Sequence, residues 1–105
     1  MMTSIFQRAA DLVNRGWVQN HEAIDSERNV VRATNKNAVC FCAEGAIRRA
    51  LHDVGIRDQS AVYSLWRTAA NAVHSKNLAH WNDASHRGKN EVVALLRGCA
   101  ESVRS

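Results

Sequence analysis

Trp81-Asn82-Asp83-Ala84-Ser85-His86-Arg87 leads into Glu91-Val92-Val93-Ala94-Leu95-Leu96, and the fold turns on what this stretch packs against. An indole, an amide, a carboxylate and a guanidinium stand within seven positions, directly before an apolar helix. The expected packing partner is Val39-Cys40-Phe41-Cys42-Ala43-Glu44-Gly45-Ala46-Ile47. Gly45 would cost about 1 kcal/mol against alanine in a helix interior. Its place among small residues therefore predicts the close approach of another backbone or of an indole ring.

Working outward, Ile5, Phe6, Ala9, Leu12 and Val13 recur at spacings of three and four and predict a helix over 4–15. Ser4 is its expected N-cap, and Asn14-Arg15-Gly16 its stop, with a left-handed glycine. Residues 18–36 are rich in turn formers and predict a long ordered loop. Val30 and Val31 could add only a very short strand there. Val39, Ala43, Ala46, Ile47, Ala50 and Leu51 predict a central helix over 38–54, capped by Asn35 or Asn37 and closed by Gly55-Ile56. A third helix over 59–75 carries Val62, Leu65, Trp66, Ala69 and Val73 inward, with Asp58 or Ser60 as cap. A single turn over 77–83 and a last helix over 89–103 complete the chain. The expectation is one all-α domain over 1–105, orthogonal or bundle-like, with four main helices and the long loop after the first.

Composition bounds the rest. At 105 residues and 46% hydrophobic content, the chain can bury one modest core. No stretch approaches the roughly 18 apolar residues of a membrane span, and the N-terminus shows no charged cap before an apolar run. A cytoplasmic setting is expected, with Cys40, Cys42 and Cys99 reduced. The net charge of +4 favours an anionic partner, but the basic residues are scattered rather than gathered in a run.

With those stretches quoted, the chain resembles a family of small bacterial and phage proteins classed as a domain of unknown function. The resemblance rests on Gly16-Trp17, Cys42-Ala43-Glu44-Gly45-Ala46, Trp81-Asn82-Asp83, Arg87 and Glu91-Val92-Val93-Ala94-Leu95-Leu96. It implies a helical fold and supplies no activity, substrate or catalytic residue.

The candidate binding site is Trp81, Asn82, Asp83, Arg87, Trp17 and Glu91: an aromatic wall, hydrogen-bonding groups and an anion clamp for a partner protein or a small anionic ligand. Turn chemistry accounts for the same residues. Asn82 and Asp83 would form an Asx turn, Asp83 would hold Arg87 or cap orphan N–H groups, and Trp81 would fill the core. Cys40 and Cys42 do not form a zinc pattern, because His74, His80 and His86 lie six apart and no second cysteine pair exists. No metal, cofactor or catalytic residue is assigned, and the reading is a binding or regulatory accessory protein rather than an enzyme. The alternative partner is nucleic acid. Leu51-His52-Asp53-Val54-Gly55-Ile56 and the helix after it have a loose helix-turn-helix outline, exposing Gln59, Tyr63, Ser64 and Arg67. The sequence sets no oligomeric state.

Overall fold

The computed structural model describes residues 2–104. Chain order is α1 (Met2–Arg15), β1 (Ala23–Asp25), β2 (Val30–Val31), β3 (Ala38–Phe41), α2 (Ala43–Asp53), α3 (Gln59–Ala72), α4 (Leu78–Asp83) and α5 (Lys89–Arg104). The all-α expectation is overturned. Among the described residues, five helices accompany an antiparallel sheet of order β2-β1-β3, and the fold is mixed α/β.

Two short strands of the sheet lie within what reads as loop, and the third lies in what reads as the start of the central helix. Ala23 and Ile24 pair with Val31 and Val30 on one side, and with Phe41 and Cys40 on the other. Asp25 closes the β1–β2 turn: its carboxylate accepts hydrogen bonds from the Glu27 and Asn29 N–H groups. Those bonds, the Asn29 backbone first, hold the Asp25 carboxyl below its ordinary range. A register shift after Ile24 sets Asp25 opposite Ala38 and leaves Val39 exposed.

The central helix accordingly starts at Ala43 rather than at 38. Asn35 and Asn37 do not cap it; the Asn35 side chain accepts from Asn37 N–H in the turn before β3. Cys42 is the cap. Its Sγ accepts from Gly45 N–H at 3.3 Å while its own N–H donates to Glu22 O. At its other end, Ile56 N–H reaches Leu51 O and Gly55 N–H reaches His52 O, with Gly55 at φ +86°. This is the double-bonded left-handed stop that a Gly-aliphatic pair favours. Helix α3 stops the same way at Ala72, His74 taking the left-handed position. At the front of the chain, α1 already runs from Met2, so Ser4 lies inside the helix.

One core joins the layers. Ile5, Phe6, Ala9 and Val13 of α1 lie with Ala46, Ile47 and Ala50 of α2, Leu65 and Ala69 of α3, and Val92, Leu96 and Cys99 of α5. Helix α1 packs on α5 and α2, and α4 spans α2 and α3. No helix among the described residues is long and apolar enough to cross a membrane.

Two glycines register the sheet against the helices. Gly16 does not turn left-handed; it is small because a Cβ there would lie 2.5 Å from Val39 O and 2.9 Å from Cys40 Sγ. Gly16 O accepts from Phe41 N–H, beside a parallel bridge between Trp17 and Phe41. At Gly45, a Cβ would collide with the backbone carbonyl of Glu22. The close approach comes from the backbone entering β1, not from an indole. Gly98, by contrast, has open space around it within α5. Gly45→Ala should therefore lower stability by about 2 kcal/mol or more, because backbone must move. Gly98→Ala should raise it by up to about 1 kcal/mol through helix propensity. Chemical-denaturation midpoints of the two variants check both signs.

Candidate functional site

Asn82 is fully buried in the last turn of α4. Its Oδ1 accepts from Trp17 Nε1–H at 2.9 Å and from Ala43 N–H at 3.0 Å. Its Nδ2 donates to Val18 O at 3.2 Å and to Asp83 Oδ1 at 2.9 Å. Two donors on one side and two acceptors on the other fix the orientation of the amide and use its full capacity. Ala43 is the first residue of α2, so Asn82 also satisfies one of that helix's orphan N–H groups.

The neighbours repeat the pattern. Gln19 Nε2 donates to Asn82 O and Ala84 O, the free carbonyls at the end of α4. Asp83 Oδ1 accepts from Asn20 N–H at 2.9 Å, and Asn20 takes φ +71° to present it. Residues 17–20 are thus stitched in succession to 82–84. Arg87 does not pair with Asp83. Its guanidinium lies over the Trp81 ring, 4.0 Å from the centroid, while Nε donates to Trp81 O and Nη1 to Glu91 Oε2 at 2.7 Å. Glu91 also accepts from Gly88 N–H, the reciprocal half of a capping box. The Arg87 bond, and then the Gly88 N–H, hold the Glu91 carboxyl below its ordinary range.

All six residues singled out from the sequence thus lie around the α4 end. Five of them, Trp17, Asn82, Asp83, Arg87 and Glu91, spend polar atoms on bonds within the protein. Trp81 and Glu91 also line an apolar groove of about 770 Å³ between α3 and α5, with Val73, Leu95 and Cys99. Burial pushes the Cys42 thiol up to about 12, against the opposing Gly45 N–H bond, which keeps it a neutral cap rather than a thiolate. Burial also pushes the Cys99 thiol up. Among the described residues, no three or more His, Cys, Asp or Glu side chains gather to hold a metal ion.

A different concavity, of about 380 Å³, gathers unspent charge. It lies between the β2–β3 connection and the α2–α3 turn, lined by Glu22, Arg32, Thr34, Arg48, His52, Ile56, Arg57, Gln59 and Val62. Glu22 is committed: Oε1 accepts from Ala33 N–H and Oε2 pairs with Arg48 at 3.2 Å. Arg48 also donates to Gln59 and lies over the Trp66 ring. Arg57 rests against His52 by its ring nitrogen and carbonyl. On the neighbouring elements Glu22 pairs with Arg48 and Asp53 with Arg49, and among the described residues neither Arg32 nor Arg57 is paired with a carboxylate. Arg32, Arg48 and Arg57 follow one another at intervals of 16 and 9 positions, so in the linear sequence their charge is scattered. The available signal was Arg48 and His52 one turn apart on α2, followed by Arg57 just past the glycine stop.

A family model covers residues 2–102. The chain belongs to DUF6197, a family of unknown function. No curated protein and no solved structure matches it. The DUF6197 match spans both the Asn82 junction and the basic concavity, so both lie inside the family's domain.

If the junction holds the fold, its amide should be irreplaceable. Asn82→Ala strands two N–H groups and a carbonyl and should cost about 3 kcal/mol or more. Asn82→Asp should be at least as damaging at pH 7, since a second carboxylate oxygen would face Asp83 and Val18 O. That carboxyl's folded pKa would be raised, so its deficit should shrink as pH falls through the carboxylate range and the proton restores a donor. Urea midpoints of both variants at pH 7 and pH 4 test this.

Proposed function

We propose that this protein is a small binding module for an anionic ligand, and that the basic concavity is the receptor. One observation carries the reading: Arg32 and Arg57, both without a carboxylate partner, face a recess that already holds Arg48. Three guanidinium groups stand against one carboxylate there. Guanidinium groups in a concave wall offer paired N–H donors to phosphate or carboxylate oxygens, and low-dielectric walls strengthen the attraction. Ile56 and Val62 add an apolar floor.

The positions are held from below. Glu22 orients Arg48, and the left-handed turn at Gly55 sends Arg57 back toward His52. The Trp81-Asn82-Asp83 corner, to which the sequence gives the ligand, serves in this reading as the joint that sets the start of α2. A regulatory or accessory role, a cytoplasmic setting with reduced thiols, and a bacterial or phage source for the family belong to the same proposal.

Inorganic pyrophosphate is the direct probe. At constant ionic strength it should raise the melting temperature of the wild type above matched chloride. Arg57→Ala or Arg32→Ala should weaken calorimetric binding about tenfold, the worth of one lost charge-assisted hydrogen bond. No stabilisation beyond chloride, or unchanged affinity in both variants, would overturn the assignment.

A further inference from the structure

Helix α3 continues past the concavity with an aromatic and then a second basic recess. Gln59 and Val62 line the first recess; Tyr63 and Trp66, one turn on, line the next, with Arg67, Lys76 and Asn77. Tyr63 is 53% exposed, so its ring is open to solvent beside this recess. It is nonetheless held in place. Its ring meets Trp66 edge-on at 5.4 Å, and the Trp66 indole N–H is tied to Glu44 O at 3.1 Å. Arg48 covers Trp66, 5.1 Å from the ring centroid, and reaches back to Gln59. One arginine thus joins the two recesses.

The order along this face is cation, ring, cation: Arg32 and Arg57, then Tyr63 on its Trp66 backing, then Arg67 and Lys76. Gln59, Tyr63 and Arg67 follow one another at i, i+4 and i+8, so each step is about 6 Å along the helix. That is on the order of the advance of one nucleotide in an extended strand. A free inorganic anion would use the first recess alone and leave the ring and the second recess without purpose. A paired duplex would keep its bases stacked and out of the ring's reach.

Resting on the anion-receptor reading, we infer that the ligand is single-stranded nucleic acid. One phosphate lies at Arg32 and Arg57, a base stacks on Tyr63, and a phosphate two nucleotides further along lies at Arg67 and Lys76. A ring face accepts any base, so the strand is taken without strong sequence preference. Glu22 and Glu44 line the two recesses, and Asp58, between Arg57 and Gln59, spends its Oδ1 on the Ser60 N–H and hydroxyl at the start of α3. Glu22 is neutralised by Arg48, and Glu44, half-buried, has its carboxyl pushed up by that burial.

Fluorescence anisotropy with labelled dT8 and rU8, beside calorimetry with pyrophosphate, tests the inference on the full chain. Binding of at least one oligonucleotide should be tighter than binding of pyrophosphate and should weaken as salt rises. Tyr63→Ala should weaken oligonucleotide binding about tenfold or more and leave pyrophosphate binding unchanged, while Tyr63→Phe keeps the ring and should keep the affinity. Arg67→Ala with Lys76→Ala should weaken the oligonucleotide alone. Tyr63 and both cations are exposed, and an unchanged melting temperature verifies that each variant folds. The inference is overturned if Tyr63→Ala binds both oligonucleotides like the wild type. It is equally overturned if a hairpin duplex binds as tightly as the strand, or if a mononucleotide binds as tightly as the octamers. In each case intact pyrophosphate binding would leave the anion receptor standing.

Discussion

A single buried amide sets the geometry of this fold. Asn82 takes N–H groups from Trp17 and Ala43 on one oxygen, and gives its own two to Val18 and Asp83. Each bond adds only about 1 kcal/mol net, but a buried donor or acceptor left unmatched costs more than the bond contributes. The amide therefore acts less as glue than as a condition. The end of α4, the start of α2 and the segment leaving α1 can be buried together only when all four bonds close. Because no apolar residue and no carboxylate can replace that pattern, the junction also selects the register in which the core packs.

The constraint passes to the charged face through Glu22. Residues 17–20 are pinned to α4, and the chain then turns into β1 with Glu22 O against Gly45 and accepting from Cys42 N–H. A larger residue at 45 would push Glu22 away, and with it the carboxylate that orients Arg48. The same backbone that closes the core thus places the one acid of the basic concavity. Arg32, beyond β2, and Arg57, beyond the α2 stop, lie on either side and keep their charge unpaired. The buried junction and the exposed recess are two ends of one short connected structure.

The sequence speaks clearly where a single element carries its own pattern. The apolar stripes of α1, α3 and α5, the Asp58 cap and the Gly55 stop all read from local spacing. The sheet does not, for physical reasons. β1 and β2 are three and two residues long, too short to show alternation, and β1 ends in an aspartate that serves its own turn. β3 runs into α2 with only Cys42 between, so an apolar stretch from 38 to 51 reads as one helix. A cysteine is not a usual N-cap, and its place at the boundary carries no signal on its own. The corner residues stand out in sequence because their types are unusual together. Their partners are 39 to 65 positions away, which leaves an internal joint and a ligand site indistinguishable before the fold is seen. The basic recess is the reverse case: ordinary residues, separated in sequence, made unusual by meeting.

Native-state hydrogen exchange at two groups tests the central claim most directly. The first amides of a helix and the N–H of a partly exposed indole ordinarily exchange quickly. If the Asn82 oxygen holds both, the Ala43 amide and the Trp17 indole N–H should exchange only with global unfolding, as slowly as the Ile47 amide in the core of α2. Fast exchange at either group, with Ile47 still protected, would mean that the amide merely occupies the space between them and does not hold the fold together.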